Sequence, residues 1–463
     1  MGITFMLDSK RVYNQKKIKY GLLIIILHGM LVFTLPVLIF AEEAIGKELF
    51  DAYCARCHGF DGDGKGEASN FTFPKPRDFT SGIFKFRSTP SGDPPMDDDL
   101  KRIIMRGIPG TSMGSWKGKF NDNELQAIVD VLKGFEEETF EMEGEPFEIG
   151  EPPPKTKKFL AMGKELFEKA KCWECHGKFG RGNGEKGWQE GFKDDWGDKI
   201  YPTNLTYPWE IKHGAGLKDL YRTVTAGFDG TPMASFADAY SDEQRWGLSY
   251  FLKSIQITRK FDSVVRAQKT DVIPTSTEDK VWNNADYIDL QMEGKKLFGL
   301  PFIPKITNMR VRTLYTSYEI AFMLEWVDKK PNKGNDGFPP DAVQIHFPIT
   351  SPLRSKKPSS PSSNLINIWY WSTNNKQVVE FKASGLKKAT MVKHQKIDVK
   401  AVYSYNNGLY RVIFRRPINT DDKDDVTFSF RKHVPFSVAA YDGQHDEMEE
   451  RGTLSATRYI FLK

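Results

Sequence analysis

The chain has 463 residues, 39% of them hydrophobic and 13% aromatic, enough for two or three separately packed cores at the usual domain size of roughly 100–200 residues. Net charge is only +5, with acidic and basic residues nearly balanced, which excludes a polyelectrolyte designed for nucleic acid or an anionic surface. The chain has four cysteines, an even number that in an exported protein would ordinarily suggest disulfides, so their spacing has to decide.

Residues 1–41 read as an export segment. Lys10, Arg11, Lys16, Lys17 and Lys19 precede a mostly apolar run from Gly21 to Phe40, which ends in a small residue, Ala41. Such a pattern is a secretory signal peptide, and its length also suits an uncleaved N-terminal membrane anchor. In either case residues 42–463 are expected outside the cytoplasm, in the periplasm or an equivalent compartment.

Residues 42–140 and 159–257 then repeat one another. "GKELFDAYCARCHG" begins at Gly46 and "GKELFEKAKCWECHG" at Gly163, and between them these stretches use every cysteine: Cys54, Cys57, Cys172 and Cys175. Each pair is spaced by two residues and followed at once by His58 or His176. Two thiols one helical turn apart can bond the two vinyl groups of one porphyrin, and the adjacent imidazole then lies beneath the iron. A lone CxxCH would also suit a zinc half-site or a redox dithiol; a duplicated one that exhausts the cysteines favours two covalently bound haem c groups.

Downstream, "DLKRIIMRGIPGTSMGSW" from Asp99 parallels "DLYRTVTAGFDGTPMASF" from Asp219, and each is followed by an amphipathic helix. Met113 and Met233 fall in the Gly-Thr-x-Met turns. Thioether sulfur is a soft donor for iron, and a Met/His pair raises the reduction potential relative to two imidazoles. The iron ligands expected are therefore His58 with Met113 and His176 with Met233. Met105, on the preceding helix, reads as core. With both axial positions filled no open site remains for substrate, so no catalytic residue is assigned.

Both repeats resemble class I cytochrome c domains. The resemblance implies an all-α fold in which the CxxCH-bearing helix crosses the last helix, here Glu43–Cys57 with Asn123–Phe135 and Phe159–Cys175 with Asp242–Ile255. It also implies that a carbonyl near Pro74 or Pro76 in the first unit, and near Pro202 in the second, orients the proximal imidazole. Between the units, residues 141–158 form an acidic, proline-rich linker; eight glutamates lie between Glu136 and Glu151, and Pro152–Pro154 should stiffen it.

After a second expected linker, 258–285, the hydrophobic period changes from helical to alternating. "RVRTLY", "IAFMLEW", "AVQIHF", "INIWYW", "LYRVIF", "VTFSF", "FSVAAY" and "RYIFL" predict an all-β antiparallel sandwich over residues 286–463. This region is similar to the haem b-binding gamma subunit of the ethylbenzene dehydrogenase type, in the dimethyl sulfoxide reductase family. In that family a methionine before the "NIWYW" strand and a lysine before the last strand hold haem b. Here the first segment, "SPLRSKKPSSPSSNLINIWYW", contains no methionine, and Thr453 and Leu454 stand about where the lysine belongs. Haem b is therefore left open, with Met448, His346 and His394 as substitute donors; His346 alternates with apolar neighbours and reads first as a strand-face histidine.

Together these readings make a multidomain chain, two all-α cytochrome c domains followed by a β-sandwich. The resemblance implies an electron-transfer subunit of a molybdenum oxidoreductase of the nitrite oxidoreductase type, with a molybdopterin-containing catalytic subunit, an iron–sulfur subunit and other redox proteins as partners. The alternatives are a dihaem enzyme such as a peroxidase, and a free cytochrome shuttle whose β-domain binds another molecule.

Overall fold

The computed structural model describes residues 44–142, 144–294, 296–297, 300–301, 305–335, 337–349, 365–375, 377–384, 392–393, 398–445 and 452–463. The export segment, Met448 and His394 lie outside these residues. Among the described residues no helix is long and apolar enough to cross a membrane.

In the first repeat, α1 covers residues 44–53 and continues through Cys54 into the single turn α2, Ala55–His58, which carries the CxxCH histidine. Helices α3, Asp97–Arg106, and α4, Asp122–Gly134, follow, then the short α5, Glu137–Phe140. A capping box starts α4: Asn121 Oδ1 accepts from the Glu124 N–H at 3.0 Å, and the Glu124 carboxylate accepts from the Asn121 N–H at 2.9 Å. Its buried stripe of Leu125, Ile128, Val129 and Leu132 packs with Phe50 of α1 and with Leu100 and Ile104 of α3. Where α1 crosses α4, a side chain at Gly46 would meet the Ala127 carbonyl oxygen at 2.3 Å, so only glycine permits this approach.

The second repeat is built alike, from α6, Lys157–Lys169, α7, Trp173–His176, α8, Leu217–Ala226, and α9, Asp242–Ser254. The start of α9 is another capping box, made by Ser241 and Gln244. A Cβ at Gly163 would stand 2.0 Å from the Gly247 carbonyl oxygen, the counterpart of the Gly46 contact. Phe50 on Phe135 at 5.0 Å and Phe167 on Phe251 at 5.3 Å are a second matched pair.

The described residues group into two compact units, and these do not coincide with the repeats. One runs up to Glu151 and includes Asp194–Asp198 and Arg222–Tyr240; the other comprises Pro152–Lys193, Lys199–Tyr221 and Ser241–Lys463. The Met233 turn thus belongs to the unit built on the first repeat.

A short helix, α10, Val281–Asn284, and fifteen strands complete the described chain. They are β1 Val264–Lys269, β2 Tyr287–Gly294, β3 Lys296–Leu297, β4 Leu300–Pro301, β5 Asn308–Tyr315, β6 Glu319–Val327, β7 Ala342–Pro348 and β8 Leu365–Ser372. The remainder are β9 Val379–Ser384, β10 Val392–Lys393, β11 Lys400–Asn406, β12 Leu409–Pro417, β13 His433–Tyr441, β14 Thr453–Ser455 and β15 Arg458–Leu462. Hydrogen bonding follows the path β10-β9-β8-β7-β13-β14-β2-β5-β6-β12-β11, antiparallel throughout, with β3 and β4 as a separate hairpin. The sheet folds onto itself: Phe322 of β6 packs against Phe347 of β7 and Trp369 of β8.

Two expectations are corrected. Residues 258–285 are not merely a linker, because β1 lies there and pairs in parallel with both β15 and β5. Its alternation is short and half polar, with Val265 and Ala267 buried, and its partners come from distant sequence. Conversely "VTFSF" is not a strand. Val426 and Phe428 are buried, but the Val426 carbonyl accepts from the buried Arg416 guanidinium instead of a ladder neighbour.

Beneath β6, β7 and β13 the carboxylates of Asp328, Asp341 and Asp442 converge, all buried, with oxygens within 4.8 Å of one another. Asp341 accepts from the N–H groups of Asn332 and Gly443 and from the Tyr410 hydroxyl. Burial, reinforced by the charge of Asp442, pushes its carboxyl up to about 7.

Two outcomes are expected. Gly163→Ala, which forces α6 and α9 apart, lowers stability by about 1–3 kcal/mol in guanidinium unfolding of the haem-loaded chain. The folded state holds a proton on Asp341 that the unfolded chain releases near pH 4, so this residue's contribution is present at low pH and is lost as pH rises through about 7. Asp341→Asn therefore flattens the decline of the urea midpoint between pH 4 and 7; an unchanged slope contradicts a buried neutral acid.

Candidate functional site

Each CxxCH motif ends in a histidine whose ring is fixed from one side. The His58 Nδ1 lies 3.0 Å from the Arg77 carbonyl oxygen, and the His176 Nδ1 lies 3.0 Å from that of Thr203. A carbonyl only accepts, so Nδ1 carries the proton and Nε2 keeps its lone pair for another partner. Burial drives both imidazoles toward the neutral form, His176 down to about 4. Phe79 stacks on His58 at 4.7 Å. In both repeats the orienting carbonyl belongs to the residue after a proline, not to Pro74, Pro76 or Pro202 themselves; proline fixes its own φ, and the next peptide faces the ring.

None of the four cysteines is in a disulfide. Burial pushes Cys54 up to about 12 and Cys172 up to about 11, and raises Cys57 and Cys175. A redox dithiol needs the opposite, a depressed thiol pKa. A zinc centre needs four converging donors. Among the described residues the group of three or more His, Cys, Asp or Glu close enough for a metal is the aspartate cluster, and neither CxxCH joins it. What remains is a neutral, buried imidazole beside two protected thiols.

The methionine turns match bond for bond. In the first, the Ile108 N–H donates to the Met113 carbonyl at 2.9 Å, the Thr111 hydroxyl donates to the Ile108 carbonyl at 2.8 Å, and the Met113 N–H donates to the Thr111 hydroxyl at 3.1 Å. In the second, Phe228 to Met233, Thr231 to Phe228 and Met233 to Thr231 repeat the pattern at 2.9, 2.7 and 3.2 Å. Gly107 and Gly227 enter these turns at φ +70° and +67°, pressed against the backbone at Gly114 and at Ala234 and Ser235. The turn is therefore held by backbone and threonine, and the thioether is left for another task. In the first repeat Cys54 and Met113 border one apolar cluster with Phe50, Phe84, Leu100 and Ile104. That lining, together with thiol, imidazole and thioether donors, fits a haem c.

Sequence patterns did not reveal what surrounds the second motif. Arg181, just past His176, donates to the carbonyl oxygens of Asn406 and Asn407 between β11 and β12. Lys329, two residues past β6, is half-buried and donates to the Pro202 carbonyl at 2.9 Å, one residue before the carbonyl that holds His176. Beside it the Asp328 N–H donates to the Gly408 carbonyl, and its own carbonyl accepts from the Tyr405 hydroxyl. The β-domain is thus part of the wall behind the second imidazole. No periodicity signals such a contact, since Lys329 and Arg181 read as ordinary surface cations.

Two further expectations can be placed. Met105 is not core but 39% exposed, because it lies off the α3 stripe of Leu100 and Ile104. His346 is buried on β7, where its Nε2 pairs with Gln344 Oε1 at 2.7 Å. Most of the two segments where the gamma-subunit resemblance puts the haem b ligands lies outside the described residues, although Thr453 is in β14 and donates to the Ala440 carbonyl.

Comparison with known proteins gives two family matches: "cytochrome C oxidase, cbb3-type, subunit III" over residues 41–130, and "cytochrome c" over residues 160–256. A protein of Haloferax mediterranei described as a respiratory nitrate reductase heme subunit is 23% identical over 186 residues, 39% of this chain and 66% of that protein. The chlorate reductase subunit gamma of Ideonella dechloratans is 22% identical over 156 residues, 33% of this chain and 62% of that one. The chain thus spans somewhat under two thirds of each of these relatives. A chain of the reducing HAO-like protein complex of Kuenenia stuttgartiensis is 40% identical, with 46% of this chain and 96% of that chain covered and a TM-score of 0.44. The protein is accordingly a cytochrome, with two cytochrome c domains that carry covalently bound haem c, fused to a domain similar to the gamma subunits of molybdoenzymes.

Proposed function

We propose that this chain is an exported electron-transfer subunit in which Cys54 and Cys57 bond one haem and Cys172 and Cys175 the other. His58 with Met113, and His176 with Met233, are the axial ligand pairs. Supporting this reading above all is the duplicated methionine turn, in which threonine and backbone satisfy each other and leave the sulfur uncommitted. Haem c supplies a one-electron ferric/ferrous couple. The protein's part is to hold each Nδ1 on a carbonyl, to keep the imidazole neutral and desolvated, and to close the opposite face with a soft donor.

The partners we propose are a molybdopterin-containing catalytic subunit and an iron–sulfur subunit of a nitrite oxidoreductase-like complex outside the cytoplasm. Similarity to gamma subunits named for nitrate and chlorate reductases motivates this assignment. The basic flank and apolar run of residues 1–41 motivate export. We read the β-domain as a docking and assembly module, since it already braces the loop behind His176 through Lys329 and Arg181.

Met113→Ala and Met233→Ala, made separately in the haem-loaded chain, should each turn one of two low-spin haems into a high-spin, ligand-accepting form with a lower midpoint potential. Unchanged absorption and potential in both variants refute the ligand assignment. In native extracts the chain should co-migrate with a molybdopterin subunit, and repeated separation from it removes the partner assignment. A pyridine haemochrome assay after acid-acetone extraction should find two covalent haems; a third, extractable haem would make the β-domain a haem b carrier.

A further inference from the structure

The two methionine turns share their internal bonds but not their whole sequence, and one of the differences introduces a charge. The first has Pro109 where the second has Asp229, immediately after the residue that closes the turn. Asp229 does not face water alone. Its Oδ1 accepts from Arg87 Nη2 at 2.7 Å and from the Ser91 hydroxyl at 2.6 Å, and its Oδ2 accepts from the Gly92 N–H at 3.0 Å. All three donors belong to the first cytochrome c domain.

Arg87 is completely buried, and every arm of its guanidinium is used. Nε donates to the Pro90 carbonyl, Nη1 to that of Phe84, and Nη2, besides Asp229, to that of Ala226 at the end of α8. One planar fork therefore grips the second methionine turn at both ends, the last residue of its entering helix and the first residue of its tip. Around this pair Phe86 meets Phe228 edge to face at 5.4 Å. Trp196 lies under the Arg77 guanidinium at 3.7 Å and so close to Gly230 that a Cβ there would stand 2.5 Å from the ring. Arg77 is also the residue whose carbonyl holds His58.

We propose that Arg87, acting through Asp229 and the Ala226 carbonyl, is a positioning residue for Met233, so that the second haem keeps its thioether only while its turn is docked on the first domain. This rests on the ligand assignment proposed above. The Met113 turn has Pro109 at the matching place, which offers no carboxylate to such a fork. Through Trp196 the same contact reaches Arg77, whose carbonyl holds His58.

The test uses the full-length, haem-loaded chain, with the ferric methionine-to-iron charge-transfer absorption as one readout and titration with imidazole as the other. In Arg87→Leu, one of the two haems should lose that absorption and bind imidazole at least about tenfold more tightly, equivalent to about 1.4 kcal/mol less hold on the turn, while the other haem is unchanged. Arg87→Lys, which keeps the cation but not the fork, should fall between. Asp229→Asn, which preserves volume and removes the charge, should move in the same direction and decides the matter if Arg87→Leu does not accumulate. Met233→Ala is the reference: if it leaves both haems unaltered, the ligand assignment fails. If Met233→Ala alters one haem while Arg87→Leu, or Asp229→Asn in its place, keeps both absorptions and the parental imidazole affinity, the positioning role is overturned.

Discussion

An imidazole can offer one nitrogen to iron in a fixed direction only if the other is held, and here both holders are backbone carbonyls buried beside the ring. The bonds from His58 to Arg77 and from His176 to Thr203 set the tautomer and the ring plane, while burial favours the neutral state. Much of the surrounding architecture keeps those carbonyls in place: the glycine-mediated crossings of α1 with α4 and α6 with α9, the aromatic contacts beneath them, and the loops that return past the motif. A haem c site in this chain is thus a property of a loop's backbone as much as of the CxxCH residues.

The two sites are supported differently although their sequences are duplicated. The first has its methionine, its first cysteine and its apolar lining in one cluster. The second is braced by outside elements. The second methionine turn is held by the Arg87–Asp229 pair within the unit of the first repeat, and, within the other unit, the loop behind His176 is held by Lys329 and Arg181. A buried guanidinium with all arms engaged is costly to leave half-paired, so such a clamp makes geometry specific even where its net contribution to stability is small. The two repeats thus share their turns and their held histidines, but the groups packed around them differ.

The β-domain fits this division of labour. Its interior, among the described residues, is occupied by large side chains, with Trp326, Trp369, Phe322, Phe347 and Phe414 all buried, which gives a stiff platform for the segment bearing Lys329. The buried aspartates behind that segment tie β6, β7 and β13 together through N–H groups and the Tyr410 hydroxyl. Charge is placed where it orders loops near the second motif.

Spacing by itself determined the chemistry: CxxCH twice, a repeated Gly-Thr-x-Met turn, amphipathic helices around them and alternating runs afterwards were legible because each is a local pattern with a period or a fixed offset. Strand β1 was not legible, since a short half-polar run becomes a strand only when β15 and β5 arrive from distant sequence. The orienting carbonyls escaped too, because every residue has one and only the folded loop selects which faces the ring. Arg87, Asp229, Arg181 and Lys329 look like solvated charges in one dimension. Tertiary structure alone decided that Arg87 is buried and which distant groups all four residues meet, since desolvation and hydrogen-bond direction depend on neighbours tens or hundreds of residues away.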